Sequence, residues 1–235
     1  MLDGARRVTS DAVAAADEGL ARFYAGKQQS YFNGARADFV ARLPLDPTAR
    51  ILEVGCGTGA TGALALCRGR ASHYTGVELF EGAAEQARHL LNEVLVGDVE
   101  KLAFPWQPCA FDALILSEVL EHLVEPWAVL ESLRPFLRPG AMVLASSPNI
   151  SHWRVVRELA QGRFDLADQG VFDRTHMRWF TPDTFAAMFE RAGYEVLNVE
   201  PVTPFSERTK LISRLTQGRW DHLFMTQICL EARRR

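Results

Sequence analysis

The sequence lacks any long apolar run. No stretch approaches the roughly 20 apolar residues that a membrane-spanning helix needs, and the opening segment, MLDGARRVTSDAVAAADEGL, has no apolar core of the kind found in signal peptides. These absences argue against a secreted or membrane-spanning protein. We therefore expect a cytoplasmic protein with no membrane partner.

The chain also lacks a strong charge of either sign and any cysteine pairing. Its formal net charge is −3, so it has no general basic field to hold a nucleic-acid backbone, and nucleic acid is not an expected partner. The cysteines show no CxxC spacing, which argues against a disulfide framework or a zinc site. We expect reduced thiols at all four of them: Cys56, Cys67, Cys109 and Cys229.

What the chain does have is a regular alternation of short apolar runs and helical segments. Its 235 residues, 48% of them apolar, suffice for one α/β domain over residues 1–235. The runs expected to form strands are ILEV, HYTGVEL, EVLVGDVE, FDALILSEV, AMVLASSP, YEVLNVEPV and HLFMTQICLEA. Strands that alternate with helices predict an α/β doubly wound, mostly parallel sheet. Residues 1–48 are expected to form an N-terminal helical cap, including a helix over 10–25.

Residues 149–180 interrupt this alternation with an irregular stretch rich in aromatic, Arg, His and Asp residues. Because it follows the fifth strand, this insertion lies at the carboxyl end of the sheet, where doubly wound folds bind ligands. We expect it to be a substrate lid, the alternative being a flap that only covers the core. The helix after it is predicted to begin at Thr181, with Pro182 at its first position.

A glycine-rich loop joins the first strand to a helix in ILEVGCGTGATG. Gly55, Gly57 and Gly59 allow a tight turn and the close approach of a ligand. The spacing also satisfies G-x-G-x-x-A, a pattern used by dinucleotide-binding folds. Alone, the loop is equally compatible with a turn that binds nothing.

Three acidic residues surround this loop. Glu53 precedes it, Glu78 ends the second strand and Asp98 ends the third. A carboxylate at 78 can accept hydrogen bonds from ribose hydroxyls, and one at 98 can accept from an exocyclic amine such as that of adenine. Three acids repel a pyrophosphate but suit a cationic or zwitterionic nucleoside.

The successive segments ILEVGCGTGATG, YTGVELF, VLVGDVE, FDALILSEVLEHL and LRPGAMVLASSPN resemble the motifs of class I S-adenosylmethionine (SAM)-dependent methyltransferases, in the family's order over about residues 30–202. The resemblance implies a Rossmann-like sheet of seven strands, the last antiparallel. It implies that Glu53 and the glycines flank the methionine part of SAM, that Glu78 holds the ribose, and that Asp98 and Val99 meet the adenine. Other residues of these motifs are assigned to the cofactor site with them: Cys56, Leu79 and Ser117. Arg36 can reach the cofactor carboxylate, or it is a solvated arginine.

The segment SEVLEHL places Glu118, Glu121 and His122 at the end of an apolar strand. On a helical turn these positions are i, i+3 and i+4, so their side chains would share one face. His176, in DRTHMRWFT, is the fourth candidate if the insertion brings it over. Three interpretations remain open: these four residues ligate a divalent cation, they form a metal-free acceptor pocket, or they form a structural hydrogen-bond network.

Further resemblances bear on this cluster. An E-x-x-E-H motif with a later histidine is similar to the metal site of small-RNA 2′-O-methyltransferases, and E-x-x-E-H alone is similar to ubiquinone-pathway O-methyltransferases. The segment from PNISHW to DRTHMRWFT resembles a bacterial subgroup associated with glycan and cell-surface biosynthesis. We expect O-methylation of a small-molecule or sugar acceptor, with His176, His122 and Glu118 as catalytic residues, because an oxygen nucleophile needs a base or a metal and these groups can supply either. The alternatives are metal-dependent methylation of vicinal hydroxyls (RNA 2′-OH or catechol type) and a non-catalytic SAM-binding subunit of a biosynthetic complex.

Overall fold

The computed structural model describes residues 34–235. Its strands are β1 (Arg50–Val54), β2 (His73–Glu78), β3 (Glu93–Val96), β4 (Phe111–Ser117), β5 (Leu137–Pro148), β6 (Tyr194–Pro201) and β7 (Gln227–Arg234). The sheet order is β3-β2-β1-β4-β5-β7-β6. Strand β7 is antiparallel to both of its neighbours, whereas the pairs among β1 to β5 are parallel. The predicted seven-stranded sheet with an antiparallel last strand is confirmed.

The helices are α1 (Ala37–Arg42), α2 (Ala60–Cys67), α3 (Glu81–Arg88), α4 (Pro126–Leu133), α5 (Trp153–Ala160), α6 (Pro182–Arg191) and α7 (Glu207–Thr216). Short 3₁₀ turns cover Leu120–His122, Arg134–Phe136 and Asp221–Leu223. Helix α6 begins as predicted, because the side chain of Thr181 accepts a hydrogen bond from the backbone N–H of Thr184, and Pro182 follows Thr181.

Apolar side chains pack against both faces of the sheet. Along β4, Leu114 and Leu116 join a cluster with α4 and α6, whereas Ala113 and Ile115 join a second cluster with α1, α2 and α3. Successive strand residues point to opposite faces, so one apolar strand serves both cores. This arrangement explains why the central strands are continuous apolar runs.

Several sequence-based boundaries differ from the structure. The last strand begins at Gln227 rather than at His222, which lies in a 3₁₀ turn. Residues 149–180 are not wholly irregular, since they contain α5, and α7 was not predicted. Of the predicted cap over residues 1–48, the helix at 10–25 lies outside the described residues, and α1 lies in the described part.

The topology places a crevice at the carboxyl ends of β1 and β4. The chain moves outward from β1 in one direction through β2 and β3, and in the other direction through β4 and β5. Doubly wound sheets bind ligands at such a switch point. The glycine loop follows β1, and Ser117 ends β4, so both lie at this crevice.

Candidate functional site

The glycine loop has a backbone that only glycine adopts without strain. Gly55, Gly57 and Gly59 have φ angles of 72°, 54° and 85°. A Cβ added at Gly55 would overlap the Cγ2 atom of Val119, which follows β4. The loop therefore has no room for a side chain where it meets the end of β4.

Glu78 holds the loop in this shape. One carboxylate oxygen accepts a hydrogen bond from the backbone N–H of Gly57 at 2.8 Å, and the other accepts from that of Phe80 at 3.0 Å. Burial raises the pKa of Glu78, although these two bonds oppose the shift. Each oxygen retains a lone pair for a further donor such as a hydroxyl. The next residue, Leu79, leaves 42% of its surface exposed, which provides an apolar contact beside the carboxylate.

Glu53 lies inside the protein, before the loop. Its carboxylate accepts a hydrogen bond from the hydroxyl of Tyr74 at 2.9 Å. Burial raises its pKa to about 7, opposed by the bond from Tyr74. Cys56 is also buried, and burial followed by the charge of Glu53 raises the pKa of its thiol.

Asp98 follows β3 in a tight turn. One carboxylate oxygen accepts from the backbone N–H of Glu100 at 3.0 Å, and the other pairs with the ammonium of Lys101 at 3.0 Å. Val99, beside it, is buried. The structure thus places two expected adenine contacts just after β3. Asp98 is the expected acceptor for the adenine amine, and Val99 is the expected apolar contact for the adenine ring.

Arg36 crosses the carboxyl ends of β4 and β5. Its guanidinium donates to the hydroxyls of Ser117 at 2.5 Å and Ser146 at 2.7 Å, and it forms a bidentate pair with Asp38. Only 18% of its side chain is exposed. The interpretation of Arg36 as a solvated arginine is therefore wrong.

The structure does not place Glu118, Glu121 and His122 on one regular helical face. Glu118 takes a left-handed conformation with φ of 53°, and the 3₁₀ turn begins only at Leu120. The backbone N–H of Glu118 donates to the carbonyl of Ser146, and its carboxylate accepts from the amide of Gln227 at 3.1 Å. The expected helical geometry is wrong, because the backbone of Glu118 still bonds to Ser146 of β5 and turns into a left-handed conformation before the 3₁₀ turn begins.

Two of these carboxylates are buried with unused hydrogen-bonding capacity. Among the described residues, Glu118 Oε1 and both carboxylate oxygens of Glu121 have no hydrogen-bond partner. Burial raises the pKa of Glu118. Burial, and next the charge of Glu118, raise the pKa of Glu121 well above its usual range. A cation or a hydrogen-bond donor at this position would satisfy both groups.

The insertion brings His176 to His122, with ring centroids 4.8 Å apart. The Nδ1 atom of His122 lies 3.2 Å from the carbonyl of Thr175, and that of His176 lies 3.0 Å from the carbonyl of Val171. Because a carbonyl only accepts, each Nδ1 carries a hydrogen, and Nε2 bears the lone pair in each neutral ring. This is the state required of a general base or a metal ligand.

Glu121, His122 and His176 form a candidate metal site. Each offers one ligand atom, and these atoms all lie within 4.8 Å of one another. Glu118, the fourth residue of the expected set, does not join this group and contacts Gln227 instead. Carboxylate and imidazole ligands suit divalent first-row cations.

The insertion is tied to this site by its backbone and by a buried acid. The N–H groups of Met177 and Arg178 both donate to the carbonyl of Glu121, at 2.8 and 3.0 Å. Asp173 accepts from the backbone N–H and hydroxyl of Thr175, whose carbonyl in turn fixes His122. The structure therefore contains the structural network as well as the candidate catalytic groups.

Sequence reasoning missed Gln227, Ser146 and Val171 as site residues. Gln227 and Ser146 come from strands distant in sequence from Glu118, and Val171 acts through its backbone carbonyl. No local sequence pattern predicts such contacts.

Within residues 34–235, none of the helices combines the length and apolar content needed to cross a bilayer.

Comparison with known proteins gives a consistent family. The Methyltransferase domain family matches residues 25–199. A ubiquinone biosynthesis O-methyltransferase of Xanthomonas campestris pv. campestris (strain B100) is 34% identical over 200 residues, covering 77% of this chain and 78% of the relative. The protein of that name from Xylella fastidiosa (strain M23) is 28% identical, covering 77% and 76%.

Solved structures share the fold at lower identity. An S-adenosylmethionine-dependent methyltransferase from Mesorhizobium loti has a TM-score of 0.61 at 20% identity, covering 86% of this chain and 98% of that chain. A SAM-dependent methyltransferase from Archaeoglobus fulgidus has a TM-score of 0.58 at 19% identity, covering 88% and 97%. At these identities, the two similarities support the assignment of the fold alone.

Proposed function

The chain belongs to the Methyltransferase domain family and is a class I SAM-dependent methyltransferase, and on that premise we propose that it methylates an oxygen of a small-molecule acceptor. The observation that carries the choice of oxygen is the pair of imidazoles at the crevice. A hydroxyl must lose a proton to become a good nucleophile, and His122 and His176 both hold their Nδ1 hydrogens on carbonyls.

The residues around the glycine loop fit SAM. The glycines leave space for a ligand, Glu78 retains lone pairs for ribose hydroxyls, and Leu79 exposes an apolar surface beside them. Asp98 and Val99 would meet the adenine. The methionine part of SAM would lie beside the loop residue Cys56 and beside Glu53, Ser117 and Arg36. The guanidinium of Arg36 suits the methionine carboxylate. Bound SAM supplies a methyl group already activated by its sulfonium.

The residues beyond β4 would handle the acceptor. His176 or His122 would take the proton of the acceptor hydroxyl at Nε2, and the other imidazole would orient the hydroxyl. Glu118 would accept a hydrogen bond from the acceptor at its unpartnered oxygen, while Gln227 holds the other oxygen. Removing water and aligning the two reacting groups would supply much of the rate enhancement.

Residues 149–180 would act as the substrate lid. They carry His176, and two of their backbone N–H groups bond to the carbonyl of Glu121. Movement of this segment would therefore change the position of an acceptor-site histidine. The acceptor class that best fits is a sugar, glycan or other hydroxylated small molecule, since the net charge of −3 offers no general field for a nucleic acid.

A second candidate is metal-dependent methylation of vicinal hydroxyls. The observation that favours it is Glu121, which is 1% exposed and has no hydrogen-bond partner on either carboxylate oxygen among the described residues. A divalent cation held by Glu121, His122 and His176 would favour the ionised form of Glu121 and use its unpartnered oxygens, with Glu118 next to it. Such an ion lowers the pKa of a bound hydroxyl.

The test is methyl transfer from isotopically labelled SAM to a panel of sugars, glycans and catechols, followed by mass spectrometry of the products. We expect the label on an acceptor oxygen. The His176→Gln variant should transfer the methyl group at least about tenfold more slowly. Label on nitrogen would contradict the proposal. Transfer to no acceptor would favour the alternative of a SAM-binding subunit in a biosynthetic complex.

The metal arm repeats the assay with EDTA and with Glu121→Gln, using Glu131→Gln as a surface control. Loss of activity with EDTA, restored by Mn²⁺ or Mg²⁺, supports the second candidate. If activity survives both EDTA and the Glu121→Gln substitution unaltered, the metal-dependent mechanism is excluded.

A further inference from the structure

Helix α7 turns its apolar side chains away from the protein. Leu211, Leu215 and Trp220, just after the helix, are 57%, 76% and 54% exposed. The less exposed side chains of the helix are small and polar: Thr209, Ser213 and Thr216. A helix on a globular protein normally shows the opposite arrangement, with its apolar stripe facing the core. The exposed face therefore fits an apolar environment outside the protein.

The same segment carries a local excess of positive charge. Residues 207–220 contain four basic side chains and one acidic side chain, in a chain whose net charge is −3. The basic residues are Arg208, Lys210, Arg214 and Arg219. The acidic residue, Glu207, pairs with Lys210 at 2.6 Å. Basic side chains next to exposed leucine and tryptophan are typical of helices that lie in the interface of an anionic bilayer.

Residues 207–220 also lie at the same end of the strands as the candidate site. Strand β6 ends, and β7 begins, at the carboxyl end of β5, since Pro148 pairs with Gln227 and Pro201 pairs with Ile228. The turn after α7 is fixed to the start of the insertion, because the Asn149 amide donates to the carbonyls of His222 at 2.7 Å and Met225 at 2.8 Å.

We propose that α7 and Trp220 dock this protein on an anionic lipid surface, with the apolar side chains in the interface and the basic side chains on lipid phosphates. An anionic bilayer offers both an apolar layer and negative charge, which together match this face. Docking needs no spanning helix, so the proposal revises the expectation of no membrane partner. It goes beyond the proposed function and does not depend on the acceptor.

Co-sedimentation of the full-length chain with vesicles tests the proposal. We expect binding to phosphatidylglycerol-containing vesicles, little binding to pure phosphatidylcholine, and weaker binding as salt is raised. Leu215→Ser should weaken binding about tenfold, because a leucine no longer enters the interface. Leu45→Ser is the matched control, since Leu45 is 85% exposed but lies before β1.

Absence of binding to the anionic vesicles would overturn the proposal, as would an equal loss in Leu45→Ser. Light scattering and thermal unfolding of Leu215→Ser without lipid identify other occupants of the face. A change from dimer to monomer would assign the face to a second copy of the chain. A lower Tm would assign it to a contact within the protein. Unchanged mass and Tm, with weaker vesicle binding, support the lipid surface.

Discussion

The charge on Glu53 makes the stability of this protein depend on pH. Burial raises the pKa of this carboxyl from 4.5 to about 7, so the folded protein keeps a proton that the unfolded chain releases. The resulting stabilisation is fully present below about pH 4.5 and is lost as the pH rises through the folded pKa of about 7. Between about pH 5 and about pH 8 the loss amounts to about 2.5 kcal/mol.

The Glu53→Gln substitution removes this dependence. The amide has nearly the shape of the carboxyl, and its oxygen still accepts from Tyr74, but it does not titrate. Relative to the unmodified protein, the variant should therefore gain about 2.5 kcal/mol of unfolding free energy between about pH 5 and about pH 8. For a chain of this length, the difference in Tm should grow by roughly 5–10 °C.

Thermal unfolding without SAM, followed by circular dichroism across this pH range, measures the effect. Glu118, Glu121 and the other buried carboxyls that do not interact with Glu53 are present in both proteins, so their contributions cancel in the difference. Glu131→Gln, at an exposed position on α4, is the matched control. A Glu53→Gln difference that stays constant with pH would refute the reasoning.

The remaining predictions concern the loop, the thiols and the helix after the insertion. Gly55→Ala should lower the unfolding free energy by about 2 kcal/mol or more in urea titrations, because the new Cβ meets Val119 in a left-handed backbone; an unchanged midpoint contradicts this. Maleimide near neutral pH should label exposed Cys67 and spare Cys56, whose pKa burial raises, and peptide mass spectrometry would detect the reverse. Thr181→Ala should cost about 1 kcal/mol through loss of the helix cap, and Thr181→Ser should retain most of it.

The elements that could be predicted from sequence are those with a local cause. The apolar runs predicted the strands because a parallel strand is buried on both faces. Thr181 and Pro182 predicted the start of α6 because capping depends on adjacent residues. By contrast, α7 was missed. Its apolar side chains are exposed and do not pack against the core, so the search for core-facing segments passed over it. Helix α5 was missed because its N-cap is His152, whose ring accepts from the backbone N–H of Arg154, and histidine is not among the usual capping residues.

The site was predictable at the level of which residues come together at one edge of the sheet. Glu78 and the glycine loop meet because β1 and β2 are parallel neighbours. The left-handed backbone of Glu118 was not predictable, since residues other than glycine rarely adopt it without tertiary support. That support comes from Ser146 and Gln227, on two strands distant in sequence.

The histidine pair illustrates the same limit. Sequence spacing identified His122 and His176 as candidates but did not fix their tautomers. The carbonyls of Thr175 and Val171 do so in the structure. Backbone carbonyls carry no sequence signature, so the chemical state of each ring depends on the folded insertion.

The most direct test of the central claim is calorimetric titration of SAM into the full-length protein and into Glu78→Gln. We expect one SAM bound per chain, and an affinity at least about tenfold weaker in the variant, because a charged acceptor for the ribose hydroxyls is lost. Absence of SAM binding to the unmodified protein, or equal affinities for the two proteins, would contradict it.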